Sequence, residues 1–249
     1  MHMNFAEIHR SPSNHSSTPQ KSVIPRIWGV ESRFDTGLLN NCGYSVIPIL
    51  VNGEYYSMLD KTISYKNIIM RRRARTALPQ ASIPPGFTFA GYCDGDAAAW
   101  AEIETSVLEF DSVPEAAAYF AAEYLPYAAE LKRRTLFVRS DEGLLVATFT
   151  AWWQYTEVRR DPWVHWVAVR PEFQGKGIGK AMVFEGMRRL LEIEGDREVF
   201  LHTQTWSHRA IGIYLKAGFA FVLDGQSMGG QINESREALE VLKQAGINF

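Results

Sequence analysis

The 249-residue sequence predicts a mixed α/β fold of the α+β kind: a mostly antiparallel central sheet flanked by helices, with a small β-rich extension ahead of it. Three observations carry this. From Gly86 the pattern alternates strand and helix; three strand patterns follow one another at Thr135–Arg139, Leu144–Tyr155 and Trp163–Val169; and the last runs through a glycine-rich turn into a long amphipathic helix.

The elements follow in order. Residues 1–25 are rich in Ser, Pro, Asn and His without apolar period and read as a loose arm. Residues 26–85 read as the β-rich extension, in which Asn52-Gly53 between Val46–Val51 and Tyr55–Met58 is a strong hairpin signal. Pro48 suggests an edge strand there. A strand at Ile63–Met70 precedes the basic run Arg71-Arg72-Arg73-Ala74-Arg75, which reads as a solvated strand end, an anion site being the alternative. The connection through Pro79, Pro84 and Pro85 marks the expected boundary, so that residues 86–249 form the main domain. In it, a strand near Phe87–Tyr92 leads to helices at Ala97–Phe110 and Val113–Leu131, parted by Asp111-Ser112. Asp141-Glu142-Gly143 makes the first tight turn between strands.

Composition narrows the function. With 28 acidic against 26 basic residues the formal charge is -2, which argues against a nucleic-acid partner. No window approaches the roughly 18 apolar residues of a membrane span, and the first 25 residues are not signal-like, so a cytoplasmic protein without a membrane partner is expected. Cys42 and Cys93 are too few for a disulfide framework, and no His or Cys spacing suits a metal. The sequence leaves a homodimer open.

The chemistry lies in Gln174-Gly175-Lys176-Gly177-Ile178-Gly179. The strand Trp163–Val169 ends at Arg170-Pro171, and from Gly177 the apolar lines of Ile178, Ala181, Met182, Phe184, Met187, Leu190 and Leu191 define a helix ending at Gly195. Three glycines in alternate positions let the amides of residues 175–180 face an anion at a helix N-terminus. A P-loop needs Ser or Thr where Ala181 stands, and a dinucleotide fingerprint needs Gly where Lys180 or Met182 stands, so both are excluded.

With Gln174, Gly177 and Gly179 in place, the chain resembles the GNAT superfamily of N-acetyltransferases, whose signature is Gln/Arg-x-x-Gly-x-Gly/Ala. After a strand at Glu198–Thr205, the segment Ser207-His208-Arg209-Ala210 through Tyr214 to Gly218-Phe219 looks like that family's second signature. Ser207 stands where the family commonly has Asn; serine is an equally good helix N-cap, and Gly218 caps the other end. The resemblance covers roughly residues 87–223.

It implies a GNAT-like fold with acetyl-CoA as co-substrate and no metal. The backbone of Val167, Ala168 and Val169 would bind the pantetheine arm, and Gln174, Gly175, Lys176, Gly177, Ile178, Gly179 and Lys180 the pyrophosphate, with Ser207 and Ala210 also at the cofactor. The implied reaction is direct attack of a neutral amine on the thioester, the oxyanion facing the Val167 amide. Tyr214 matches the family's general acid, although packing also accounts for an aromatic there. His165 is the candidate base: strand alternation puts it on one face with Val167 and Val169, while a histidine on an apolar strand can also be simply packed. Trp100, Trp152, Trp153, Tyr155, Trp163 and Trp166 suggest an aromatic acceptor pocket, core packing explaining at least half of them. Glu102, Glu104 and Glu109 suit a cationic substrate, or a solvated helix face. The acceptor is expected to be a small-molecule amine or a protein amino group; a silent acetyl-CoA sensor is the competing reading.

Overall fold

The computed structural model describes residues 50–51, 54–55, 59–156 and 159–249. The expected N-terminal arm, Cys42 and most of the 45–59 hairpin lie outside them. Within that hairpin, β1 (Leu50–Val51) pairs antiparallel with β2 (Glu54–Tyr55), with Val51 opposite Glu54 across Asn52-Gly53.

Seven strands form the central sheet: β3 (Asn67–Arg72), β4 (Phe87–Gly91), β5 (Thr135–Ser140), β6 (Leu145–Thr156), β7 (Arg159–Val169), β8 (Val199–Gln204) and β9 (Phe219–Phe221). Their order is β4-β5-β6-β7-β8-β3-β9, antiparallel at every step except β7 to β8. The sheet is therefore mixed and mostly antiparallel, as the pattern predicts. β3 lies inside it, between β8 and β9, so the proline-rich connection expected to part an extension from the main domain joins two strands of one sheet. In the basic run Arg73, Ala74 and Arg75 are exposed, as a solvated strand end requires, but Arg72 is not. Arg72, the last residue of β3, is 1% exposed, donates to the Thr76 carbonyl and sits 3.7 Å from Asp196.

Helices cover both faces. Above the sheet lie α1 (Ala97–Ser106), α2 (Val113–Glu123) and α3 (Ala128–Arg134); below it lie α4 (Ile178–Glu194), α5 (His208–Lys216) and α6 (Ser235–Gln244). The helix expected over 113–131 breaks after Glu123 because Pro126 supplies no N–H and clashes with the preceding turn, leaving a 3-10 turn at Leu125–Tyr127. Ile68, Met70, Phe149, Val164, Val167, Val169, Met182 and Tyr214 share the lower core; Trp100, Phe120, Phe137, Trp152, Trp166 and Ala168 share the upper one. Gly186 lets α4 lie close on β6: a Cβ there would stand 2.5 Å from the Phe149 ring.

The helix expected over 97–110 stops four residues early. Leu108 N–H donates to the Thr105 carbonyl and Glu109 N–H to the Glu104 carbonyl, the paired bonds of a Schellman motif, with Leu108 at φ +65. A non-glycine residue in that left-handed conformation costs about 1 kcal/mol, and the motif sets Glu109 beside Glu104.

Candidate active site

The site begins where the sheet opens. β7 and β8 are parallel neighbours only at Trp163 opposite Phe200 and Val164 opposite Leu201. Beyond them β7 runs on to Val169 beside β6, and β8 to Gln204 beside β3, so a wedge separates the two. The N–H of Arg170 bonds the carbonyl of Val146 and Thr148 is opposite Ala168, so by the antiparallel alternation Ala168 also faces β6. Val167 and Val169 then turn their N–H groups into the wedge. Of the three backbones expected to meet the pantetheine arm, Ala168 is thus engaged elsewhere.

Gln174 differs from expectation in the same way. Its Nε2 donates to the Val169 carbonyl at 2.8 Å, which ties the turn to the end of β7 and uses that donor within the protein. The rest of the turn suits an anion. Gly175 and Gly177 take φ +75 and +88, and Gly177 is the N-cap of α4 with no side-chain cap. The first intrahelical bond is Ala181 N–H to Gly177 carbonyl, so the amides of Ile178, Gly179 and Lys180 precede the ladder. No acidic residue stands in that first turn, and Lys176 and Lys180 flank it. A Cβ added at Gly179 would stand 3.6 Å from Val169 and from Ile213, so the turn lies close to both β7 and α5.

Ser207 occupies the N-cap position of α5 but makes no side-chain cap, so the capping role expected of its hydroxyl is absent; Ala210 is partly buried on α5. Gly218, at φ +88, closes that helix with its N–H on the Leu215 carbonyl.

Tyr214 lies on α5, 7% exposed, in the lower core against Phe219. Its hydroxyl has no hydrogen-bond partner among the described residues. Burial is the main cause that holds its pKa well above that of a free phenol, with the charges of Glu109 and Glu104 adding to it. Glu104 lies on α1, on the other face of the sheet, and Glu109 in the turn that follows it.

His165 departs from the expected face. Between Thr148 and Thr150, β6 passes one residue while β7 passes two, and Trp166 in this bulge has φ +49. Regular alternation is broken: Val164, Val167 and Val169 face the lower core, whereas His165 and Trp166 both face the upper one. There His165 Nδ1 lies 3.1 Å from Tyr124 Oη and Nε2 lies 3.2 Å from Gln154 Nε2. Gln154 can only donate through that nitrogen, so His165 accepts at Nε2 and donates from Nδ1, a tautomer assigned by the network. Tyr124 is hydrogen-bonded in turn to Tyr119, as is Trp166. Burial pushes the imidazole down to about 3, so it is neutral with both nitrogens engaged.

The aromatic residues divide. Trp163 is core, packed on Phe200 below Met228; Tyr155 is 61% exposed; Trp152 and Trp153 stack on each other at 4.1 Å. Trp100 and Trp166 alone of the six stand together by the wedge, centroids 5.6 Å apart, joined by Phe110 and Tyr119, which sequence reasoning missed. Glu102 is exposed and pairs with Arg170 at 2.8 Å, but Glu104 is 1% exposed with Oε1 unpartnered, so only Glu102 fits a solvated face. Among the described residues, no group of three or more His, Cys, Asp or Glu is arranged to hold a metal ion, and no helix is long and apolar enough to cross a membrane.

A family model described as the Acetyltransferase (GNAT) family matches residues 98–219, which span α1, the wedge, the glycine turn and α5. Residues 98–219 form a GNAT acetyltransferase domain. GNAT proteins transfer acyl groups from acyl-CoA to nitrogen, and the open edge of β7 with the uncapped α4 N-terminus fits such a thioester and its pyrophosphate. Two mycothiol acetyltransferases are similar to it: one from Pseudarthrobacter chlorophenolicus, 26% identical over 86% of this chain and 70% of its own length, and one from Paenarthrobacter aurescens, 29% identical over 58% and 46%. A GCN5-related N-acetyltransferase from Sphaerobacter thermophilus shares the fold, with a TM-score of 0.52 and 22% identity over 64% of this chain and 49% of that one. The GNAT chain thus spans about half the length of that structure and of the second relative.

Proposed function

We propose that the protein transfers an acetyl group from acetyl-CoA directly to the primary amine of a small molecule. The observation that carries this is the wedge between β7 and β8, where the N–H groups of Val167 and Val169, turned away from β6, stand beside the uncapped N-terminus of α4. When bound, acetyl-CoA supplies the activated acetyl thioester. The amides of Ile178, Gly179 and Lys180, with Lys176 and Lys180, hold its pyrophosphate, and Gln174 keeps the turn docked on β7. The Ser207 hydroxyl, unused as a cap, faces the same ligand together with Ala210.

The Val167 N–H, turned from β6, meets the oxygen that gains negative charge as the amine attacks. Tyr214 remains protonated far above neutral pH, so its hydroxyl keeps the proton that a departing thiolate requires. His165 enters as a neutral ring fixing Tyr124 and Gln154; in its observed state it has no lone pair left for a substrate proton. Two relatives named for acetylation of mycothiol, a small molecule, support a small-molecule acceptor over a protein amino group. So do the aromatic residues Trp100, Phe110, Tyr119 and Trp166 on the acceptor side.

Thiol release from acetyl-CoA across a panel of small amines, beside lysine peptides, tests the reading. Release with small amines and not with peptides is expected. Tight acetyl-CoA binding without turnover on any acceptor would instead support a sensor.

A further inference from the structure

Resting on that acetyl-transfer reading, we propose that Glu104 and Glu109 form the receptor for the ammonium group of a cationic acceptor, and that Glu109 takes its proton. Apolar side chains usually meet where a Schellman motif folds the sixth residue back on the first. Here the two positions hold carboxyl groups, joined by the bond from Glu109 N–H to the Glu104 carbonyl. The turn is formed at a non-glycine residue, Leu108, in left-handed conformation.

Among the described residues no side chain donates a hydrogen bond to this pair. Glu104 Oε1 is buried without a hydrogen-bond partner, and an orphaned buried acceptor is uncommon enough to require an explanation. A second orphan is independent of the helix. Gln204 ends β8 where β7 has diverged, 3% exposed, and its Oε1 also lacks a donor. Val199 and Leu201 on β8 face the lower core, so alternation puts Phe200 and Gln204 on the other side of the sheet, the side of α1. Both of these orphans are acceptors and would be satisfied by a donor, although Trp100 Nε1 and Thr105 Oγ1 on α1 are also without partners. An ammonium carries three donors and a positive charge, and aromatic faces such as that of Trp166 favour it further.

The charged and titratable groups around the pair are Lys61 and Tyr65 from the segment before β3, Tyr119, Glu123 and Tyr124 at α2, His165 on β7 and Tyr214 on α5. Among the described residues Lys61 is the cation felt at Glu109, and burial outweighs it, raising that carboxyl to about 8. Glu109 holds its own proton below about 8 and is ionised above it; in the ionised form it can relieve an ammonium of one: the N–H bond breaks, an O–H bond forms on Glu109, and the neutral amine keeps its electron pair for attack. Tyr214 on the other side of the wedge then gives its own proton to the leaving sulfur.

The test is calorimetric titration of the coenzyme A-loaded protein with phenethylamine and 1,5-diaminopentane, and with uncharged 2-phenylethanol as control. At least one amine should bind the wild type, and Glu104→Gln and Glu109→Gln should each weaken it tenfold or more. Coenzyme A and 2-phenylethanol affinities should stay within twofold, which also shows that the variants are folded. With an amine that turns over, the rise of kcat/KM with pH should flatten in Glu109→Gln; an unchanged rise would remove Glu109 as proton acceptor. If the wild type binds coenzyme A but neither amine, or binds an amine equally well in both variants, the inference is overturned alone. Failure of the wild type to bind coenzyme A would overturn the acetyl-transfer reading, and this inference with it.

Discussion

Glu109→Gln should make the protein's stability less dependent on pH, independently of any ligand. In the folded chain burial raises this carboxyl from an ordinary 4.5 to about 8. Between those values the folded state keeps a proton that the unfolded chain has released, so stability falls as pH rises; the contribution is full below about 4.5 and gone above about 8. At ~1.36 kcal/mol for each pH unit the whole interval corresponds to roughly 5 kcal/mol. Glu109 is only partly buried, and screening by water leaves about 2–3 kcal/mol. Glutamine has the same shape and no proton to lose. Urea denaturation at pH 4.5, 6, 7.5 and 9 should show the variant gaining on the wild type by that amount from the lowest pH to the highest. Glu104 is present in both proteins, so its own titration largely cancels. A difference that stays constant within about 0.5 kcal/mol would refute the burial of this carboxyl, and with it the turn that places it beside Glu104.

Gly186→Ala should destabilise by about 1–3 kcal/mol despite alanine's better helix propensity, because its methyl would overlap the buried Phe149 ring; a raised melting temperature would contradict the contact. Leu108→Gly should stabilise by about 0.5–1 kcal/mol, relieving a left-handed leucine whose side chain is half exposed. Thermal denaturation measures both. Tyr214→Phe should lower kcat on the order of 10²-fold with coenzyme A affinity unchanged; steady-state rates beside a binding titration separate this from a packing defect, which would lower both.

The sheet and the glycine turn were legible because their signals are local. Alternation marks β5 to β8, and Gly175, Gly177 and Gly218 stand where the backbone takes positive φ, so the chain itself announces those turns. Non-local pairing was not legible. β3 reads as a strand from its apolar run, but only the fold shows that it passes between β8 and β9, making one strand of the expected extension part of the central sheet. The bulge at Trp166 carries no glycine or proline, so Trp163–Val169 reads as an uninterrupted alternation and places His165 on the wrong face. Leu108 hides the end of α1 for the same reason: a left-handed leucine looks like one more helical residue, and Glu109 then looks like a solvated position. The aromatic concentration was visible, but which rings meet depended on α2 delivering Tyr119 and Tyr124 from forty residues away, beyond any local pattern. The amphipathic helix Ser235–Gln244 was not anticipated, although Ala238 and Leu242 at helical spacing mark the face it buries.

The central claim is that the wedge and the α4 N-terminus together receive the acetyl donor. Residue-resolved amide hydrogen exchange with and without coenzyme A tests it most directly. The account predicts that coenzyme A slows exchange at Val167, Val169, Ile178, Gly179 and Lys180, whose N–H groups have no partner in β6 or in the helix ladder, and leaves Ala168 unchanged because β6 already protects it. Coenzyme A binding that protects none of these amides, or protects Ala168 as much as Val167, would contradict it.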